Sequence, residues 1–147
     1  MSDGWMIPYS GYELGIPAST FDDAIEGRGL HTSIKLNRMI GVFDNRVYLI
    51  NLYFEQRTGK VLRPQVTQIG ELQTSTGIVY ITENNKPQVL ISDNTSLYIY
   101  DTTLTPSFQV VPVDFVPGYV DFHDTYFLAA AQNTNTWRLS DQNDGTS

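Results

Sequence analysis

A chain of 147 residues with no cysteine, nine Lys and Arg, and a net charge of −7 at pH 7 excludes several function classes at once. Disulfide scaffolds, thiolate metal sites and Cys nucleophiles all need cysteine, and sequence-independent nucleic-acid binding needs clustered cations to displace phosphate counterions. The 41% apolar and 12% aromatic content supplies a packed core, while no run approaches the roughly 20 apolar residues that span a bilayer.

Residues 1–30 read as an irregular lead-in. Gly11, Gly15, Gly27 and Gly29 punctuate it, and Pro8 and Pro17 disfavour a helix. Ser19 or Thr20 caps one short helical turn at most, with Asp22 and Asp23 near its positive end. No basic region leads into an apolar run, so no secretory leader is expected, and the Asn94-Thr95-Ser96 triplet carries no weight as a glycosylation acceptor.

Residues 31–147 read as short strands bounded by turn residues, the spacing of an all-β meander. The first unit, 31–77, places strands over Ser33–Leu36, Met39–Phe43, Arg46–Phe54 and part of Val61–Leu72. Its turns fall at Asn37-Arg38, Asp44-Asn45 and Arg57-Thr58-Gly59-Lys60, and Pro64 suits an edge position because it has no N–H for a ladder. The second unit, 78–118, places strands over Ile78–Thr82, Gln88–Ser92, Leu97–Tyr100 and Phe108–Val113, with turns at Asn84-Asn85-Lys86 and Asp93-Asn94. The third, 119–147, has Tyr119–Phe122, Tyr126–Ala131 and Trp137–Ser140 but no fourth strand. Gly77 and Gly118 mark the handovers.

One hairpin recurs in the three units. Asp44-Asn45 precedes Tyr48, Asp93-Asn94 precedes Tyr98, and Gln132-Asn133 precedes Trp137. The interval lies near the roughly 40–50 residue period of propeller blades. The expected fold is therefore a β-propeller-like array of four-stranded antiparallel blades, with two blades and part of a third. Such an array leaves a face and strand edges open, so further chain, other copies or partners are expected to cover them.

Chemistry finds weak footing in the sequence. His31 beside Thr32 and Ser33 lacks a nucleophile-elbow pattern. Asp121 and His123 share a strand face, but two ligands make no metal site. Asp22, Asp23, Glu26, Glu55, Glu71 and Glu83 offer carboxylates without a spacing that selects a glycosidase pair. Asp141-Gln142-Asn143-Asp144-Gly145 has its glycine one place early for a calcium loop and reads as Asx-type turns. Gly27-Arg28-Gly29 lacks phosphate-loop spacing. No catalytic, cofactor-binding or metal residue is assigned, no cofactor is expected, and the chain is read as a non-enzyme. Outward-facing Tyr48, Tyr98 and Trp137 would suit sugar stacking, the basis of an alternative carbohydrate-binding propeller. Packing between sheets is the favoured role of such aromatics.

Gly27-Arg28-Gly29-Leu30, Ile69-Gly70-Glu71-Leu72 with Ser75-Thr76-Gly77, Asp93 with Leu97-Tyr98-Ile99, Val116-Pro117-Gly118-Tyr119, Tyr126-Phe127 and Leu139 through Ser147 carry a resemblance in their order and spacing. Together, over roughly residues 27–147, they are similar to the N-terminal part of the packaged-DNA stabilisation proteins, or tail accessory factors, of short-tailed bacteriophages. The resemblance implies a virion tail protein, assembled in the host cytoplasm and present in several copies below the portal and adaptor ring. It implies that the protein closes the DNA exit channel and attaches fibres, spikes or a needle; the composition, not the resemblance, argues against strong nucleic-acid or membrane binding. Members of that family run to several hundred residues. The other alternative is a fragment of a polysaccharide-active tail protein.

Overall fold

The computed structural model describes residues 18–54, 56–58 and 61–147. Residues 1–17, the larger part of the expected lead-in, lie outside the described residues, as do Glu55 and the Gly59-Lys60 half of the first long turn. A single 3-10 turn at Ala18–Phe21 agrees with the short helical turn expected near Ser19.

Eleven strands follow among the described residues: β1 (Gly27–Ser33), β2 (Arg38–Phe43), β3 (Arg46–Phe54), β4 (Val61–Glu71), β5 (Tyr80–Glu83), β6 (Gln88–Ser92), β7 (Leu97–Asp101), β8 (Phe108–Val111), β9 (Pro117–His123), β10 (Tyr126–Ala131) and β11 (Trp137–Leu139). They form three antiparallel sheets in which each strand pairs with its sequence neighbour, β1 to β4, β5 to β8 and β9 to β11. The chain is all-β. Short β-branched and aromatic runs between Asn, Asp and Gly turns leave little alternative to such meanders.

Sheet 2 is the middle layer. Every residue of β6 and β7 is buried, as expected of strands covered on both faces. On one side Val89, Ile91, Tyr98 and Tyr100 pack against Ile40, Val42 and Val47 of sheet 1. On the other, Leu90, Leu97, Ile99 and Val111 pack against Val120, Phe127 and Ala129 of sheet 3. Each fully buried aliphatic side chain contributes about 1.5–3 kcal/mol, so these two interfaces hold the layers together. At the first of them Gly70 lies so close to the Phe108 ring that a Cβ would fall 2.3 Å from it. The first strands of the sheets are also neighbours: β5 contacts both β1 and β9, and Val79 N donates to Arg28 O at 3.0 Å. Sheet 1's outer face carries a smaller cluster in which Phe21 stacks on Phe43 at 4.0 Å and meets Tyr48 edge-on.

Two expectations need correction. The first strand lies at Gly27–Ser33, not at Ser33–Leu36, so Gly27 to Leu30 belong to sheet 1 and not to an irregular lead-in. Gly29 answers to packing: a Cβ there would come 2.8 Å from Val79 O. Gly118 lies inside β9, where a Cβ would press on Gln132 Cγ at 3.3 Å, whereas Gly77 is a true turn residue with φ +90°. The two handovers are built differently.

Candidate functional site

The chemically dense regions of the molecule are the joints between sheets, and the recurrent hairpin turns help to make them. All three turns connect the second and third strands of their sheets. Asp44, Asn94 and Asn133 take left-handed backbone there, with φ of 51°, 65° and 58°, a conformation that short polar side chains tolerate.

At the first joint the Asp44 carboxylate accepts from Glu26 N at 2.9 Å and from Ile25 N, fixing the chain as it enters β1. Asn45 O accepts from Leu72 N at 2.7 Å as the chain leaves β4. Arg28 is the centre. Its side chain is buried, and its five N–H donors all have acceptors: Nε meets Gly77 O at 2.8 Å, Nη1 meets Asp44 O at 2.7 Å and Thr74 O at 2.6 Å, and Nη2 meets Thr74 Oγ1 at 2.7 Å and Thr76 O at 2.8 Å. The planar fork of guanidinium matches such a cage of oxygens, which an ammonium would fill only in part. Gly77 N in turn donates to Glu26 Oε1. The crossing from sheet 1 to sheet 2 is thus wrapped around one arginine.

Thr74 passes the network on by donating to Asp93 Oδ2 at 2.8 Å. Asp93 is buried; its Oδ1 accepts from Thr95 N and Ser96 N, and its Oδ2 also accepts from the Tyr98 hydroxyl at 3.0 Å. The Tyr98 oxygen accepts from Gln73 N at 2.8 Å, and its ring stacks on Phe108. Burial pushes the Asp93 carboxyl up, but the N–H groups of Ser96 and Thr95 and the hydroxyls of Thr74 and Tyr98 outweigh it, so the net shift is downward. Burial raises the Tyr98 phenol.

The second joint is smaller. Gln132 Nε2 donates to Asn94 O at 2.9 Å and to Pro117 O at 2.8 Å, while Asn94 Nδ2 donates to Ile78 O. At the opposite end of sheet 2, Gln88 donates to Asp101 Oδ2 at 2.9 Å and accepts from Asn84 Nδ2 and from Gly145 N. That last bond seats the 141–147 segment against sheet 2. The expected Asx-type turn is present there, with Thr146 N donating to Asp144 Oδ1.

Tyr48 and Tyr98 are buried, Tyr48 donating its hydroxyl to Asp22 at 2.9 Å, whereas Trp137 is 51% exposed and lies edge-on to Tyr119, ring centres 6.4 Å apart. Asn133 is an exposed turn residue. His31 and Glu83 face each other across β1 and β5 at 3.8 Å, but the Glu83 carboxylate accepts from Ser33 Oγ and Ile34 N. Glu55 lies outside the described residues, and His123 and Asp121 are exposed on β9. No group of three or more His, Cys, Asp or Glu is placed to hold a metal among the described residues.

Sequence reasoning missed Arg28, Thr74, Gln88 and Asp101. The one legible hint was an arginine flanked by two glycines at the start of a β-rich region, a place where backbone can approach closely. Compared with known proteins, the chain matches no family model and no curated protein.

Proposed function

We propose that the chain is a structural, non-enzymatic part of a short-tailed phage tail hub, a propeller-like array that helps close the DNA exit channel below the portal and adaptor and attaches tail appendages. The observation that carries this reading is the use of the polar groups: the buried Arg28 and Asp93, bridged by the half-buried Thr74, join one sheet to the next. The side-by-side order of β1, β5 and β9 also supports it, since first strands are neighbours when blades are set around an axis. The net charge of −7 suits a wall that DNA passes without adhering. In this role the protein works in several copies within the virion tail.

Adding the protein to DNA-filled capsids that carry portal and adaptor but lack the hub tests the proposal. Co-sedimentation with the capsids and reduced DNA leakage are expected. Unchanged leakage without co-sedimentation would sink the reading, and tight binding to free DNA at low salt would count against the channel-wall part of it.

A carbohydrate-binding module is the second reading, favoured by one observation: the half-exposed, perpendicular pair of Tyr119 and Trp137. Aromatic faces of this kind stack on sugar rings. On this reading a glycan array gives a signal that Trp137→Ala removes while the far-ultraviolet circular dichroism is unchanged. Absence of any signal from the unmodified protein rejects it.

A further inference from the structure

The three sheets present the same end together. Ser33 Oγ and Ile34 N, where β1 finishes, donate to the Glu83 carboxylate, where β5 finishes. Gly145 N, beyond β11, donates to Gln88 Oε1 at the start of β6. The β1–β2, β3–β4, β5–β6 and β9–β10 turns and the 141–147 segment therefore lie at one end of the layers, and the Asp44, Asn94 and Asn133 turns lie at the other.

Charge is graded across the first of these ends. Sheet 1 contributes the exposed Lys35 and Arg57 and the half-buried Arg38. Sheet 2 mixes the signs, the Lys86 charge acting on the carboxylates of Asp101 and Asp144. Sheet 3 contributes the exposed Asp121, Asp124 and Asp141, and residues 121–126 and 139–147 hold no Lys or Arg. The opposite end is of one sign, with Asp22, Asp23, Glu26 and Asp44 gathered around Arg46, so two copies repel there.

The same end is stepped. Four pairs, from Asn51↔Gln65 to Phe54↔Val61, carry β3 and β4 past Met39↔Ile50, where the β2–β3 ladder stops. At about 3.3 Å per residue the ribbon that leads to Arg57 projects by roughly 13 Å. The ladders of sheet 2 end together, at Glu83↔Val89, Gln88↔Asp101 and Tyr100↔Phe108.

We propose that two copies of the chain associate through this end about a two-fold axis passing through sheet 2, so that the projecting cationic edge of each sheet 1 overlies the acidic end of the other copy's sheet 3. A two-fold contact must be self-complementary, and a surface basic on one side and acidic on the other meets that condition twice. The two flanks cannot meet within one chain, because sheet 2 lies between them. Setting sheet 1 over sheet 1 would oppose like charges, which costs affinity. The contacts are exposed ion pairs, so the dimer is weak and sensitive to salt, with Ile34, 84% exposed beside Lys35, adding apolar area. Such a dimer does not require the tail role proposed above: it forms in dilute buffer from the chain alone, and its failure leaves that role untouched.

Sedimentation equilibrium of the full chain is expected to show a monomer–dimer equilibrium with a Kd of about 10–100 µM at about 0.1 M salt, and one at least about tenfold weaker at about 0.5 M salt. Lys35→Glu with Arg57→Glu, and separately Asp121→Lys with Asp141→Lys, should each weaken association at least about tenfold, because like charges then face each other. An equimolar mixture of the two variants should recover it to within about threefold, since the acidic flanks of one meet the basic flanks of the other. A monomer at every concentration up to about 500 µM, equal association at both salts, growth beyond the dimer, or a mixture that stays monomeric would overturn the proposal. If either variant fails to fold by circular dichroism, the salt comparison on the unmodified protein still decides.

Discussion

Replacing Arg28 with alanine is expected to destabilise the protein by about 2–4 kcal/mol, since hydrogen bonds to a charged group contribute roughly 1.5–3 kcal/mol each and are not additive. Five donors disappear together from a buried side chain, and the carbonyls of Asp44, Thr74, Thr76 and Gly77 lose their partner, those of Thr76 and Gly77 at the exposed rim of the joint. Domains of this size have about 5–15 kcal/mol in total, so the variant should sit near the edge of folding at 37 °C. Arg28→Lys should recover only a minor part, because three tetrahedral donors cannot reproduce a planar fork of five. Urea denaturation of the three proteins measures this. A shift of less than about 1 kcal/mol for Arg28→Ala, the scale of a surface substitution, would mean that the joint is not what holds sheet 1 to sheet 2. Amide exchange adds a location to the energy: Val79 N, bonded to Arg28 O, should lose protection before the centre of sheet 2 does.

Asp93→Ala is expected to cost about 2–4 kcal/mol, since hydrogen bonds to a charged group contribute roughly 1.5–3 kcal/mol each and leave unpaired donors when removed. The Thr74 and Tyr98 hydroxyls and the Ser96 and Thr95 amides all lose their acceptor. A cycle with Tyr98→Phe should show clear non-additivity, because the two residues share a bond and a network. Additive losses would place them in separate units. The same carboxylate predicts a pH dependence. The Asp93 pKa is lowered in the folded protein, and so are those of Asp101, where the Thr103 hydroxyl and amide and the Gln88 amide outweigh burial, and Asp144, held down by the Thr146 hydroxyl and amide. A lowered folded pKa contributes stability that is fully present above the unfolded value, about 3.9, and is lost as pH falls through the folded value. Urea midpoints should therefore hold between pH 7 and 5 on this account and fall below about pH 4. Asp93→Asn should flatten that acid limb, and an unchanged limb would remove Asp93 from the explanation.

Much of the strand order was legible because strands and turns are local events. Gln88–Ser92 and Tyr126–Ala131 are continuous apolar or β-prone runs bounded by turn residues, and they form strands with those bounds. Asp44, Asn94 and Asn133 announced left-handed turns through side chains that tolerate them. Arg28 was hidden for the opposite reason. Its partners lie 16 to 49 positions away, and nothing in Gly27-Arg28-Gly29 says that the backbone of 74–77 will close around it. The matched aromatics had a similar limit: Tyr48 and Tyr98 are buried, but Trp137 stands half exposed, because β11 lies at the edge of a three-stranded sheet while β3 and β7 are each flanked by a strand on both sides. By itself the sequence determined the all-β class, most of the strands and the turn chemistry, since these depend on residues within a few positions of one another. Only the tertiary structure decided which sheet lies in the middle and which polar groups become its joints, because burial is set by what the rest of the chain brings alongside.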